Sequence, residues 1–126
     1  MEDYRRNLIG DDEARLGELL RSARRVAVLG MKTEKQQGQP AFYVAQALQA
    51  MGLEIVPVPV YFPDATEILG AKVYRKLVDV PGELDIVDVF RRSGDVAGHL
   101  PDLLAKKPRA VWLQSGIRDA ITIKIT

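Results

Sequence analysis

Four short apolar runs constrain this chain more than any other feature: Arg25 to Gly30, Leu53 to Val58, Asp85 to Phe90 and Arg109 to Leu113. Each is largely apolar on consecutive positions, so each reads as a strand buried on both faces, the kind found in parallel sheets. The segments between them have helical character. Pro40 is placed to open a helix that runs to about Met51, and Gly52 to end it. Ser93 is placed to cap a short helical turn, and Pro101 to Lys107 reads as a helix with Pro in its first turn and Pro108 beyond its end. A weaker helical patch lies near Val73 to Val78. Ahead of the first strand, Asp11 to Ala23 has approximate helical spacing, with acids first and Arg21 and Arg24 near its end, as the helix dipole favours. Strands alternating with helices predict an α/β fold, a doubly wound, Rossmann-like parallel sheet with helices on both faces.

Composition narrows the function classes. A chain of 126 residues is the length of one domain, expected here over residues 1–126. It has no Cys, which excludes disulfide scaffolds, thiolate metal sites and thiol nucleophiles, and its single His excludes a site built on several imidazoles. With 18 basic and 17 acidic residues the formal net charge is +1, unlike a domain that binds nucleic acid by covering its backbone with cations. No apolar stretch approaches the roughly 20 residues needed to cross a bilayer. Met1 to Arg6 runs into charge without the apolar core of a signal peptide, so a cytoplasmic protein is expected.

In an open sheet of this kind ligands bind outside the carboxyl ends of the strands, where the winding reverses. The segments Gly30 to Pro40, Pro59 to Pro63, Phe90 to Ser93 and Gln114 to Arg118 fall there, and bring Lys32, Lys35, Arg91, Arg92 and Arg118 to one edge. Together with the amides that open the helix after Pro40, these cations would suit phosphates; the alternative is that they are solvated surface charges. A nicotinamide or flavin dinucleotide fits poorly. Its fingerprint needs three glycines and an acid at the end of the second strand, but the first loop has one Gly in register and the second strand ends in Pro57-Val58-Pro59. An NAD(P)-dependent oxidoreductase, or a fragment of one, stands as an alternative reading.

Val26-Ala-Val-Leu-Gly30, the Pro40 helix ending in Gly52, Ile55-Val-Pro-Val58, Ile68-Leu-Gly70 with Val73-Tyr74, Asp85-Ile-Val-Asp-Val-Phe-Arg91 and Ala110-Val-Trp-Leu-Gln-Ser-Gly-Ile117 occur in this order. The succession resembles the small bacterial CoA-binding proteins, whose domain is similar to the amino-terminal domain of the succinyl-CoA synthetase α subunit. It covers about residues 20–118, leaving residues 119–126 as an atypical tail. The resemblance implies coenzyme A or an acyl-CoA as ligand. It places the loop Gly30, Met31 and Lys32 and the helix start at Pro40 and Ala41 against the phosphates, with Lys32 and Arg91 as their cations and Phe90 and Arg92 beside them. It puts Pro59 and Val60 along the adenosine, and Gln114, Ser115 and Gly116 on the far side of the switch point.

The chain departs from that family twice. Pro57-Val58-Pro59-Val60 stands where the family has Pro-Val-Asn-Pro, removing an amide side chain and a backbone donor from the ligand-facing edge. After the Gly-Ile segment the family continues through a helix and a fifth strand. Here Ile121 to Thr126 alternates strictly, and is expected to form a short edge strand, to pair with another subunit or to be disordered. Without a fifth element the fourth strand would be an open edge, which points to a homodimer.

Catalytic readings are weak. His99 sits among Val96, Leu100 and Leu103 and reads as a packing or surface residue; Ser115 lacks the flanking pattern of a nucleophile elbow. Asp85 and Asp88, three apart on a strand, point to opposite faces and do not pair. No acids show metal-ligand spacing, and Trp112 reads as core. The expected function is a CoA or acyl-CoA binding module with no chemistry of its own. An assembly domain that has lost its ligand is a further alternative.

Overall fold

The computed structural model describes Glu18, residues 21–115 and residues 119–124, with the backbone alone for residues 93, 114–115 and 119–124. Most of the helix expected over Asp11 to Ala23 lies outside the described residues, although Glu18, Arg21 and Ser22 are helical.

Four strands run parallel as expected. β1 (Arg25–Leu29) is flanked by β2 (Glu54–Val58) and β5 (Ile86–Val89), and β6 (Ala110–Ser115) pairs with β5. β7 (Asp119–Lys124) adds on antiparallel to β6, giving the order β2-β1-β5-β6-β7. β7 therefore answers the question left by the alternating tail, and β6 is not the open edge on which the homodimer expectation rested. Gln114 and Ser115, expected to close the fourth strand, are part of it, in register with Ala120 and Asp119.

Consecutive apolar residues produce two cores because alternate side chains leave a strand on opposite sides. Val26 and Val28 face one side, where α1 (Pro40–Ala50) lays Phe42, Ala45 and Leu48 against them. Ala27 and Leu29 face the other, where they meet Leu77, Val80 and Leu103. Leu103 belongs to α3 (Leu100–Lys106), which follows the single turn α2 (Ser93–Val96) and ends where Lys107 adopts the left-handed conformation, φ 55°. Ser93 is the first residue of α2, and Arg92, one residue earlier than expected, occupies the cap position.

One expected element differs in kind. Where a helical patch is expected near Val73 to Val78, residues 73–76 are irregular and only a 3-10 turn forms, at Leu77–Asp79; ahead of it lies a small hairpin of β3 (Glu67–Ile68) and β4 (Ala71–Lys72). Leu69 and Gly70 make the hairpin turn, both at positive φ, 53° and 73°, the geometry that matches strand twist in a two-residue connection.

Asp85 joins three strands at the edge opposite the ligand-facing one. Its carboxylate accepts the N–H groups of Arg24 at 2.8 Å and Arg25 at 2.9 Å and lies 3.4 Å from Arg109 Nη1. Burial works against its charge, but these donors outweigh it and hold the carboxyl below its ordinary value. Asp85→Ala should lower stability by about 1–3 kcal/mol in urea denaturation at neutral pH, the cost of orphaned donors. Because the native pKa is depressed, this contribution is present above the ordinary carboxylate pKa of about 3.9 and fades as pH falls through the lower native value. The wild type's advantage over Asp85→Ala should therefore disappear in strong acid, and a constant difference there would show that Asp85 acts through packing alone.

Candidate functional site

The winding reverses between β1 and β5. The connection from β1 to β2 carries α1 on one face, and that from β5 to β6 carries α3 on the other. Gly30 stands at this switch point with φ +84°. Its N–H donates to the Val58 carbonyl at 2.9 Å, and the Phe90 N–H donates to the Leu29 carbonyl at 2.8 Å. A Cβ on Gly30 would lie 2.4 Å from the Phe90 carbonyl oxygen and 3.3 Å from Arg91 Cδ. Only glycine lets the segments after β1 and β5 come this close.

The loop after Gly30 is fixed along its length. Met31 is buried, and the Lys32 N–H donates to the Ala41 carbonyl at 3.2 Å, tying the loop to the first turn of α1. Pro40 occupies that first turn, where its missing N–H costs nothing. Thr33 caps the 3-10 turn Glu34–Gln36, and the Glu34 carboxylate accepts the Leu69 N–H of the hairpin turn at 2.8 Å.

Of the cations expected to gather at this edge, Lys32 and Arg91 come together around the ring of Tyr61. Lys32 Nζ lies 5.7 Å from the centroids of Tyr61 and Phe62, and Arg91 Cζ lies 5.6 Å from that of Tyr61. Arg91 Nη1 is 3.5 Å from the Tyr61 hydroxyl, and Nη2 is 3.7 Å from the Asp95 carboxylate. That hydrogen bond and the charge of Arg91 lower the phenol's pKa. Arg91 Nε is buried and has no hydrogen-bond partner among the described residues. Lys35 instead lines a separate concavity of about 410 Å³ with Glu34 and Asp64. Arg92 is exposed, Phe90 is half-buried against the α1-side core, and Gly116 and Arg118 lie outside the described residues.

Three residues of this neighbourhood carry no sequence signal strong enough to select them. Tyr61 and Phe62 fall in a connection of irregular pattern, and Phe62 takes φ +62°. Arg75 holds that connection in shape by donating to the carbonyls of Tyr61 at 3.2 Å, Phe62 at 2.7 Å and Ala65 at 2.9 Å. Such a clamp depends on three-dimensional proximity and leaves no periodicity to read. On the α3 side, Pro59 and Val60 line a cleft of about 690 Å³ together with Lys76 and His99.

Asp88 is fully buried in the middle of β5, where burial raises its pKa well above the ordinary carboxylate range. Trp112 is half-buried against the α1-side core, and its Nε1 has no hydrogen-bond partner among the described residues. The described residues hold no cluster of His, Cys, Asp or Glu that would ligate a metal, and none of their helices is long and apolar enough to cross a membrane.

A parallel sheet with helices on both faces and a glycine at the switch point defines a Rossmann-like α/β protein. Residues 24–126 match the family described as the CoA binding domain, and the chain belongs to that family. It is 33% identical over 105 residues to the uncharacterized protein YneT of Bacillus subtilis (strain 168), covering 83% of this chain and 74% of that protein. A structure from Thermus thermophilus, cell-free ID.343, shares 37% identity with a TM-score of 0.74 over 85% of this chain and 78% of that one. The PH1109 protein redesigned for binding shares 25% identity with a TM-score of 0.69, over 80% of this chain and 68% of that one.

The residues at the switch point suit such a cofactor. A diphosphate offers acceptors to a buried guanidinium nitrogen that has no hydrogen-bond partner among the described residues.

Proposed function

We propose that this chain is a binding module for coenzyme A or an acyl-CoA, with no chemistry of its own. The observation that carries the reading is Arg91 Nε, a buried donor without a hydrogen-bond partner among the described residues, beside Gly30 at the switch point. Leaving such a donor unpaired costs about 1–3 kcal/mol, which an anionic ligand recovers. In this reading Lys32 and Arg91 take the phosphates, and the loop Gly30 to Lys32 and the helix start at Pro40 and Ala41 run beside them. Phe90 and Arg92 form the rim, Pro59 and Val60 flank the adenosine, and the end of β6 at Gln114 and Ser115 lies beyond the switch point. The end of β2 at Val58 and Pro59 supplies no acid for a nicotinamide ribose, which favours CoA over NAD. Coenzyme A is an intracellular cofactor, and we place the protein with it in the cytoplasm.

Calorimetry with CoA, acetyl-CoA, NAD and NADP tests the assignment. Binding of the two CoA compounds that weakens with added salt is expected. Binding of the nicotinamide cofactors alone would return the oxidoreductase reading, and binding of none of them would favour an assembly domain. A homodimer joined through a sheet edge, as the sequence suggested, would use β2 or β7. A sedimentation mass equal to one 14.0 kDa chain removes it.

A further inference from the structure

The cleft on the α3 side is built from four separated segments of chain. Leu29, Pro59 and Val60 come from the ends of β1 and β2, Arg75 to Val78 from the stretch before and within the 3-10 turn, and Gly98 to Ala105 from around α3. Its volume, about 690 Å³, lies within the range of small-molecule sites, about 300–1,000 Å³. The walls are largely apolar, so what the cleft selects depends on its few polar side chains.

Two of those four are already committed. Arg75 spends its terminal nitrogens on the carbonyls of Tyr61, Phe62 and Ala65. Asp102 accepts the N–H groups of Leu77 at 2.8 Å and Val78 at 3.0 Å, capping the 3-10 turn. Lys76 and His99 remain. Lys76 is exposed at the rim, and its ammonium makes no hydrogen bond or ion pair within the described residues. His99 is half-buried in the wall, where burial and the charge of Arg91 hold its pKa below the ordinary imidazole value. Both effects favour the neutral form of the ring, which lies close enough to Arg91 to feel its charge. An imidazole ring in the same cleft as Pro59 and Val60 suits a flat heterocycle, and an ammonium at the rim suits an anion carried next to it. A pantetheine arm, uncharged along its length, would gain nothing from Lys76.

Resting on the CoA reading above, we infer that this cleft takes the 3′-phosphorylated nucleoside end of the ligand, with Lys76 on the 3′-phosphate and His99 against the base. Lys76 is then the residue that distinguishes CoA from dephospho-CoA. Pro59 lends the base a surface without a side-chain donor, so selection at this end rests on the phosphate more than on hydrogen bonds to the base.

The test is calorimetry of the wild type, Lys76→Ala, His99→Ala and His99→Phe with CoA, dephospho-CoA and 4′-phosphopantetheine. The wild type should prefer CoA to dephospho-CoA by about tenfold or more, the worth of one charge-assisted contact. In Lys76→Ala that preference should fall to near unity, with dephospho-CoA affinity unchanged. His99→Ala should weaken both nucleotides and leave 4′-phosphopantetheine alone, and His99→Phe, which keeps a flat ring, should restore most of the loss. A preference for CoA that survives Lys76→Ala, or a loss in His99→Ala that extends to 4′-phosphopantetheine, overturns this assignment while leaving CoA binding in place. Absence of CoA binding in the wild type overturns the underlying reading instead.

Discussion

Arg91→Ala is expected to weaken CoA binding by roughly 10- to 100-fold, the equivalent of about 1.5–3 kcal/mol for hydrogen bonds from a charged donor. The side chain is only 15% exposed, so its charge faces a site partly withdrawn from water, where pairing with an anion is worth more than at the surface. Asp95 at 3.7 Å and the Tyr61 hydroxyl at 3.5 Å are its partners in the protein, both long contacts, and Nε has none among the described residues. A phosphate would satisfy all of these donors better. The loss should be larger at low ionic strength than at high, because removing one cation removes part of the screened attraction. Arg91→Lys should recover part of the affinity, since it returns the charge without the planar fork. An Arg91→Ala protein that folds normally and binds CoA with unchanged affinity and salt dependence would falsify the placement of the phosphates at this edge.

Gly30→Ala should be among the most damaging single-methyl changes in the chain. The new Cβ would stand 2.4 Å from the Phe90 carbonyl oxygen, a backbone atom that cannot swing aside, in a conformation, φ +84°, that alanine disfavours. Conformational strain of about 1–2 kcal/mol and overpacking of about 1–3 kcal/mol add to a loss of about 2–5 kcal/mol. Thermal denaturation followed by circular dichroism should show the melting temperature falling by on the order of 10 °C or more. Gly52→Ala is the control: Gly52 also has positive φ, +99°, but open space where the Cβ would go. It should cost only the strain. Equal losses in the two variants would show that the approach of Phe90 to Gly30 is not what requires glycine there.

Some parts of this molecule are local properties of its chain. The apolar runs around Val28, Val56 and Val87 announce strands covered on both sides, and Pro40 and Gly52 bracket α1 nearly to the residue. Lys32 and Arg91 follow from the same logic, because in a parallel sheet the residues just after the strands share one edge. Other parts are not local. The Val73 to Val78 stretch looks weakly helical because its apolar spacing allows it, yet Leu69 and Gly70 turn the chain before it as a hairpin, and the Asp102 carboxylate from α3 caps the 3-10 turn. His99 reads as an ordinary packing residue until the structure sets it in the same cleft as Lys76 and Pro59.

The sequence by itself determined the sheet, its parallel winding and the edge at which a ligand is to be sought, since hydrophobic period and the placement of Gly and Pro act within a few residues. The family resemblance, carried by segments such as Asp85 to Arg91, pointed to the CoA-binding domain family to which the chain belongs. Only the tertiary structure decided that β7 closes the β6 edge, that Lys32 and Arg91 meet around Tyr61 while Lys35 turns elsewhere, and that Arg75 moulds the intervening loop. The reason is physical. Strand and helix preferences are summed over neighbouring residues, whereas a clamp, a cleft or a shared guanidinium joins side chains from segments far apart in the chain, and those distances are set by how the sheet and helices pack.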